Sequence, residues 1–226
     1  MPKNRILILI LISSLSFSNY SIGQDWANLG KYQEENQILL KTEMDANRIV
    51  FMGNSITEGW PVGMPSFFEN PSFVNRGISG QTTPQMLLRF RQDVLALNPK
   101  AVIILAGTND IAGNTGPITL EQITGNIKSM VELALANNIK PIICSVVPAF
   151  DYPWKAGMQP NIKIPLLNQM LKNLAIEKKV PYLDYFSRMA DERNGLSKDL
   201  AEDGVHPTPK GYEIMAKAAM ETINKL

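Results

Sequence analysis

Five short runs rich in β-branched and apolar residues, at 48–52, 72–75, 101–106, 141–147 and 181–185, alternate with longer segments of helical periodicity. The runs are too short for helices and suit strands. Repeated strand and helix alternation predicts an α/β fold, a parallel sheet covered on both faces and joined by right-handed crossovers. Among the helical segments, 84–97 opens on Pro84 and carries Met86, Leu87, Phe90, Val94 and Leu97 at helical spacing. The segment 119–136 starts with Thr119 and has Gln122 three residues on, a capping box. Segments 162–179 and 208–226 repeat the pattern, the second with Pro209 in its first turn. A further helix is expected over 25–44, before the first strand.

The chain has 226 residues, 45% of them apolar, enough for one sizeable core. Residues 1–23 read as a secretory signal. Lys3 and Arg5 form a charged start, 6–12 is an unbroken apolar run, and Ser21, Ile22 and Gly23 offer small residues for cleavage. The rival reading, an uncleaved anchor, needs roughly 20 apolar residues. Cleavage leaves 24–226 as the mature domain, exported to a bacterial periplasm or the exterior, with no stable membrane insertion.

Charge and ligand counts exclude several functions. Twenty-two basic residues stand against 21 acidic ones, and loss of Lys3 and Arg5 leaves 20 against 21. No basic stripe stands out, so nucleic acid is not an expected partner. Cys144 is the sole cysteine and His206 the sole histidine, too few for an ordinary zinc site. No calcium-loop or phosphate-binding glycine spacing is present, so neither a metal nor a cofactor is expected. Cys144 sits in an apolar run and reads as a small buried hydrophobe.

In parallel sheets ligands gather beyond the C-terminal strand ends, which directs attention to the loops after the first three strands. The first contains Gly53, Asn54 and Ser55 at a strand exit before a helical turn, a place for a nucleophile or simply for a helix cap. The second contains Arg76, Gly77, Ser79 and Gly80, and the third Gly107, Thr108, Asn109 and Asp110. His206 is the only imidazole that can move a proton near neutrality. Asp203, three residues before it, is close enough to orient the ring, and Asp110 is the alternative partner.

These four ordered blocks, from Arg48 to His206, resemble the SGNH hydrolases, also called GDSL esterases and lipases. The resemblance implies a flavodoxin-like three-layer α/β/α sandwich with a five-stranded parallel sheet. It further implies Ser55 as nucleophile, His206 as general base and acid, and Asp203 as the residue orienting His206. The N–H groups of Ser55 and Gly80 and the side-chain amide of Asn109 become oxyanion-hole donors. Asn54 stands where the family's name-giving motif has Asp, a variant the family accepts.

Substrate-side residues are less sharply drawn. Trp60, Trp154 and Tyr152 are expected near the crevice, either stacking on a sugar or closing the core. Arg76 is either a loop anchor or a substrate contact. The proline-rich stretch 149–165 is expected to be a long loop that walls the pocket. It offers no long apolar lid for a fatty chain, which favours a short acyl group; the resemblance, together with the expected export, implies acetyl carried on a carbohydrate. A lysophospholipase or thioesterase, an acyltransferase, and a non-catalytic exported carbohydrate-binding protein are the alternatives.

Overall fold

The computed structural model describes residues 25–42 and 45–226. The expected signal segment 1–23 lies outside the described residues, as does Met44 at the end of the first expected helix. In chain order the elements are α1 (Gln33–Lys41), β1 (Ile49–Gly53), α2 (Ser55–Glu58), α3 (Trp60–Gly63), α4 (Pro65–Phe68), β2 (Phe73–Gly77), α5 (Thr83–Asp93), β3 (Ala101–Leu105), α6 (Thr108–Ile111), α7 (Leu120–Ala136), β4 (Lys140–Cys144), α8 (Pro160–Lys178), β5 (Tyr182–Leu183), α9 (Phe186–Met189) and α10 (Pro209–Ile223).

All five strands are parallel and lie in the order β2-β1-β3-β4-β5. Successive side chains of a strand point to opposite faces, and the two halves of the core follow that rule. Val50, Met52, Val102 and Ile104 pack with Met86, Phe90, Ile127 and Leu171 of α5, α7 and α8. Ile49, Phe51, Ile103 and Leu105 face the other way, onto Trp60, Phe67, Tyr212 and Met215. Cys144 lies in this second half, 1% exposed, and burial pushes its thiol pKa up.

Helix boundaries follow their caps. The Thr119 side chain accepts the Gln122 N–H and the Gln122 side chain accepts the Thr119 N–H, closing the expected capping box of α7. Several boundaries differ from the sequence reading: α5 ends at Asp93, short of the expected 97, β4 and β5 are shorter than their runs, and two further differences have a visible cause. Residues 25–32 form turns and helix begins only at Gln33, because Asp25 ties the Leu29 and Gly30 N–H groups into a local cap. Helix α8 begins at Pro160, two residues ahead of the expected segment 162–179, so the loop expected over 149–165 ends at Gln159 and Pro165 lies inside the helix. A proline there cannot donate to the carbonyl four residues back, and Asn194 Nδ2 donates to that Asn161 oxygen at 3.1 Å instead.

The order of the sheet reverses between β1 and β3, and at such a switch point loops part to leave a crevice. Ser55 follows β1 and Asn109 follows β3, so the fold alone brings both to that crevice.

Candidate active site

Ser55 opens α2, two residues past β1. The Asn54 side-chain oxygen accepts the Ile56 N–H at 3.0 Å and caps this turn. One acceptor oxygen is all the cap requires, and an amide supplies it at a buried position without the cost of a buried charge. The turn lies directly on the end of β2: a Cβ added to Gly77 would sit 2.1 Å from the backbone nitrogen of Glu58.

The Ser55 hydroxyl lies 2.9 Å from His206 Nε2, across 151 residues of sequence. On the far side of the ring, Nδ1 is 2.6 Å from Asp203 Oδ2. The other Asp203 oxygen accepts the N–H groups of Val205 and His206 at 2.9 and 2.8 Å. A carboxylate fixed in this way accepts the Nδ1 hydrogen, which leaves the Nε2 lone pair of the neutral ring for the serine proton. Burial acts to raise the Asp203 pKa, but the hydrogen bonds from the ring and the two amides outweigh it and hold the carboxyl below its ordinary value. The two side chains are each 42% exposed, open to an approaching ester.

Asp110, the alternative partner for His206, is engaged elsewhere. It is buried, accepting the Thr83 N–H at 2.9 and 3.0 Å and the Thr83 hydroxyl at 2.5 Å, at the start of α5. Burial pushes its pKa up to about 6 despite those bonds.

Asn109 is buried in α6 and donates one Nδ2 hydrogen to Gln81 O at 3.0 Å. A primary amide has two donors, and the bond to Gln81 uses one of them. Gly80 lies on the neighbouring loop with φ of +75°, a backbone state that strains any residue with a Cβ. Asn114 Nδ2 donates to its carbonyl at 3.1 Å.

The three expected substrate-side residues separate. Trp154 is 45% exposed, with its ring centroid 6.1 Å from that of His206. It stacks on Tyr152 at 5.0 Å, and the buried Tyr152 hydroxyl shares a 2.9 Å hydrogen bond with Thr108 of α6. Trp60 is 1% exposed, stacked between Phe67 and Tyr212, and therefore closes the core instead of meeting a ligand. Arg76 is also buried, held by Asn36 Oδ1 at 2.8 and 2.9 Å and by Glu35 at 3.3 Å, with its guanidinium over the Tyr32 ring. It is an anchor between β2 and α1. Its remaining surface lines a groove of about 480 Å³ that contains none of Ser55, Asp203 and His206.

Arg89 escaped the sequence reading. It is fully buried, paired with Asp93 at 3.0 Å, and donates to Gly53 O at 3.0 Å, Arg76 O at 2.9 Å and Gln81 Oε1 at 2.5 Å. It thus braces the ends of β1 and β2, from which the Ser55 and Gly80 loops depart. The available signal was a charge placed three residues after Met86 on the apolar side of α5.

The sheet is parallel throughout in this order, and Ser55, His206 and Asp203 are hydrogen-bonded in series beyond the C-terminal end of β1. The chain belongs to the GDSL-like lipase/acylhydrolase family, whose pattern matches residues 51–214, and is a carboxylic ester hydrolase. A structure from Bacteroides fragilis NCTC 9343, described as a candidate acylhydrolase, is 46% identical. It covers 89% of this chain and 98% of its own, with a TM-score of 0.86. A GDSL-like lipase from Bacteroides thetaiotaomicron VPI-5482 is 44% identical, covering 88% and 98%, with a TM-score of 0.84. An acetylxylan esterase from Xylanibacter ruminicola is 25% identical over 210 residues, 76% of this chain and 42% of that relative.

Proposed function

We propose that this protein is an exported serine esterase that removes short acyl groups, acetyl above all, from a carbohydrate. The observation that carries the reading is the unbroken series from Ser55 Oγ to His206 Nε2 and from His206 Nδ1 to Asp203, at 2.9 and 2.6 Å.

The chemistry follows from that series. Ser55 Oγ attacks the ester carbonyl while His206 Nε2 takes its proton, and Asp203 stabilises the resulting imidazolium. The N–H groups of Ser55 and Gly80 and the second Asn109 Nδ2 hydrogen receive the negative charge on the carbonyl oxygen. Collapse expels the alcohol, which takes the proton from His206. Water then repeats the sequence on the acyl-enzyme, releasing the carboxylic acid and restoring Ser55.

The preference for acetyl on a sugar rests on three supports. The relative from Xylanibacter ruminicola is an acetylxylan esterase. Trp154 offers a solvent-facing ring beside His206. The first 23 residues have the pattern of a secretory signal. Among the described residues no helix is long and apolar enough to cross a membrane.

The test is hydrolysis of p-nitrophenyl esters of increasing acyl length by the purified protein, with Ser55→Ala as control. Turnover that is greatest for acetate, falls with chain length and disappears in Ser55→Ala is expected. Preference for long chains would redirect the reading to a lysophospholipase or thioesterase, and no turnover at all would revive a binding-only protein.

A further inference from the structure

We infer that Trp26 and the groove beside Gly80 form a binding subsite for a sugar ring of the ester-bearing glycan. The inference rests on the esterase reading above and identifies a part of the substrate that the protein grips.

Trp26 is 45% exposed, yet the backbone around it is firmly held. Gln85 Nε2 donates to Trp26 O at 2.6 Å, Gln81 Nε2 to Ala27 O at 2.7 Å, and Gln92 Nε2 to Leu29 O at 2.6 Å. Asp25 adds the turn that accepts the Leu29 and Gly30 N–H groups. Three side-chain amides thus fix the backbone of the segment while Trp26 itself remains 45% exposed. A platform restrained before binding loses little entropy when a ligand stacks on it.

The groove, about 330 Å³, is bounded by Trp26, Gly80, Gln81, Gln85, Asn114 and Thr115. Its floor is tied to the proposed oxyanion donors. Asn109 Nδ2 donates to Gln81 O and Asn114 Nδ2 to Gly80 O, so a ring seated here lies next to the loop that would receive the ester carbonyl.

The lining decides the ligand class. One aromatic residue and Ile78 among amides and hydroxyls complement a pyranose, which is apolar on its C–H face and polar at its rim. A fatty acyl chain needs a more continuous apolar wall. Neither lysine nor arginine lines the groove, which disfavours a phosphate-bearing ligand.

The test compares p-nitrophenyl acetate with an acetylated xylo-oligosaccharide in wild type, Trp26→Ala and Trp26→Phe. For Trp26→Ala, both kinetic constants on p-nitrophenyl acetate should be unchanged, while KM for the saccharide ester rises about tenfold at similar kcat. Trp26→Phe should recover most of that loss. Equal effects on the two esters, no effect on the saccharide ester, or a wild type that cleaves only p-nitrophenyl acetate would overturn the subsite. A wild type inactive on both would overturn the esterase reading and the subsite with it.

Discussion

Arg89→Met places the heaviest demand on the fold at a position that touches no substrate. The Arg89 and Asp93 side chains are 0% and 1% exposed, and their ion pair spans 3.0 Å. Methionine roughly preserves the aliphatic stem but strands Asp93 as a buried carboxylate, with Asn36 Nδ2 at 2.7 Å its nearest remaining donor. Breaking a buried pair in this way costs about 3–5 kcal/mol. The acceptors abandoned at Gly53 O, Arg76 O and Gln81 Oε1 push the loss toward the upper end. For a chain of this size each kcal/mol moves Tm by about 2–4 °C, so a fall of roughly 6–20 °C is expected. Adding Asp93→Asn removes the buried charge while keeping an acceptor for Asn36, and should return about 1–3 kcal/mol. Urea titration and calorimetry on both single variants and the double variant measure the cycle. A loss below about 1 kcal/mol in Arg89→Met, or losses that simply add in the double variant, would refute the role of this pair as a buried brace.

Other expectations concern the site itself. Asp203→Asn should lower kcat on p-nitrophenyl acetate by about 10⁴-fold with the fold intact, because an amide no longer enforces the Nδ1–H tautomer; a loss under about tenfold would count against that orientation. Asn109→Ala should cost about 2.7–4 kcal/mol of barrier, read as a fall in kcat at little-changed KM. Asp110 keeps its proton in the folded state up to about pH 6, against 3.8 in an unperturbed carboxyl. The folded state therefore holds the extra proton between those values, and this group's contribution to stability declines by about 3 kcal/mol as pH rises from about 3 to 7, most steeply between the two values. The stability difference between wild type and Asp110→Asn should change with pH across that window, and a constant difference would overturn the assignment.

The strands were legible because burial on both faces writes continuous apolar runs, and each run lies within a few residues of an observed strand. The three loops were legible because a parallel sheet sends its ligand-facing turns to one rim. Direction within short turns was not. Trp60 stands in a loop region of the sequence, and only the fold-back of α3 and α4 onto Tyr212 turns its ring inward. Arg76 reads equally as a loop anchor or a substrate contact, and the choice falls to the anchor because the strand points it toward Asn36 on α1, a pairing across 40 residues that no local pattern records. Trp26 was hidden for a similar reason: a helix expected over 25–44 obscured the turn that presents it, and its clamps come from glutamines on α5. Pro165 falls in both the expected loop 149–165 and the expected helix 162–179, and the helix prevails with Asn194 of a distant loop donating to the carbonyl that a proline leaves unpaired.

The central claim is that Ser55 is the attacking group. Treating the protein with a p-nitrophenyl phosphonate, which serine attacks as it would an ester but which water does not readily release, converts the attack into a stable label. Mass spectrometry of proteolytic peptides should find one phosphonyl group on Ser55, formed in step with loss of esterase turnover and absent from Ser55→Ala. Labelling at another residue in step with inactivation, or full turnover by protein labelled at Ser55, would contradict it.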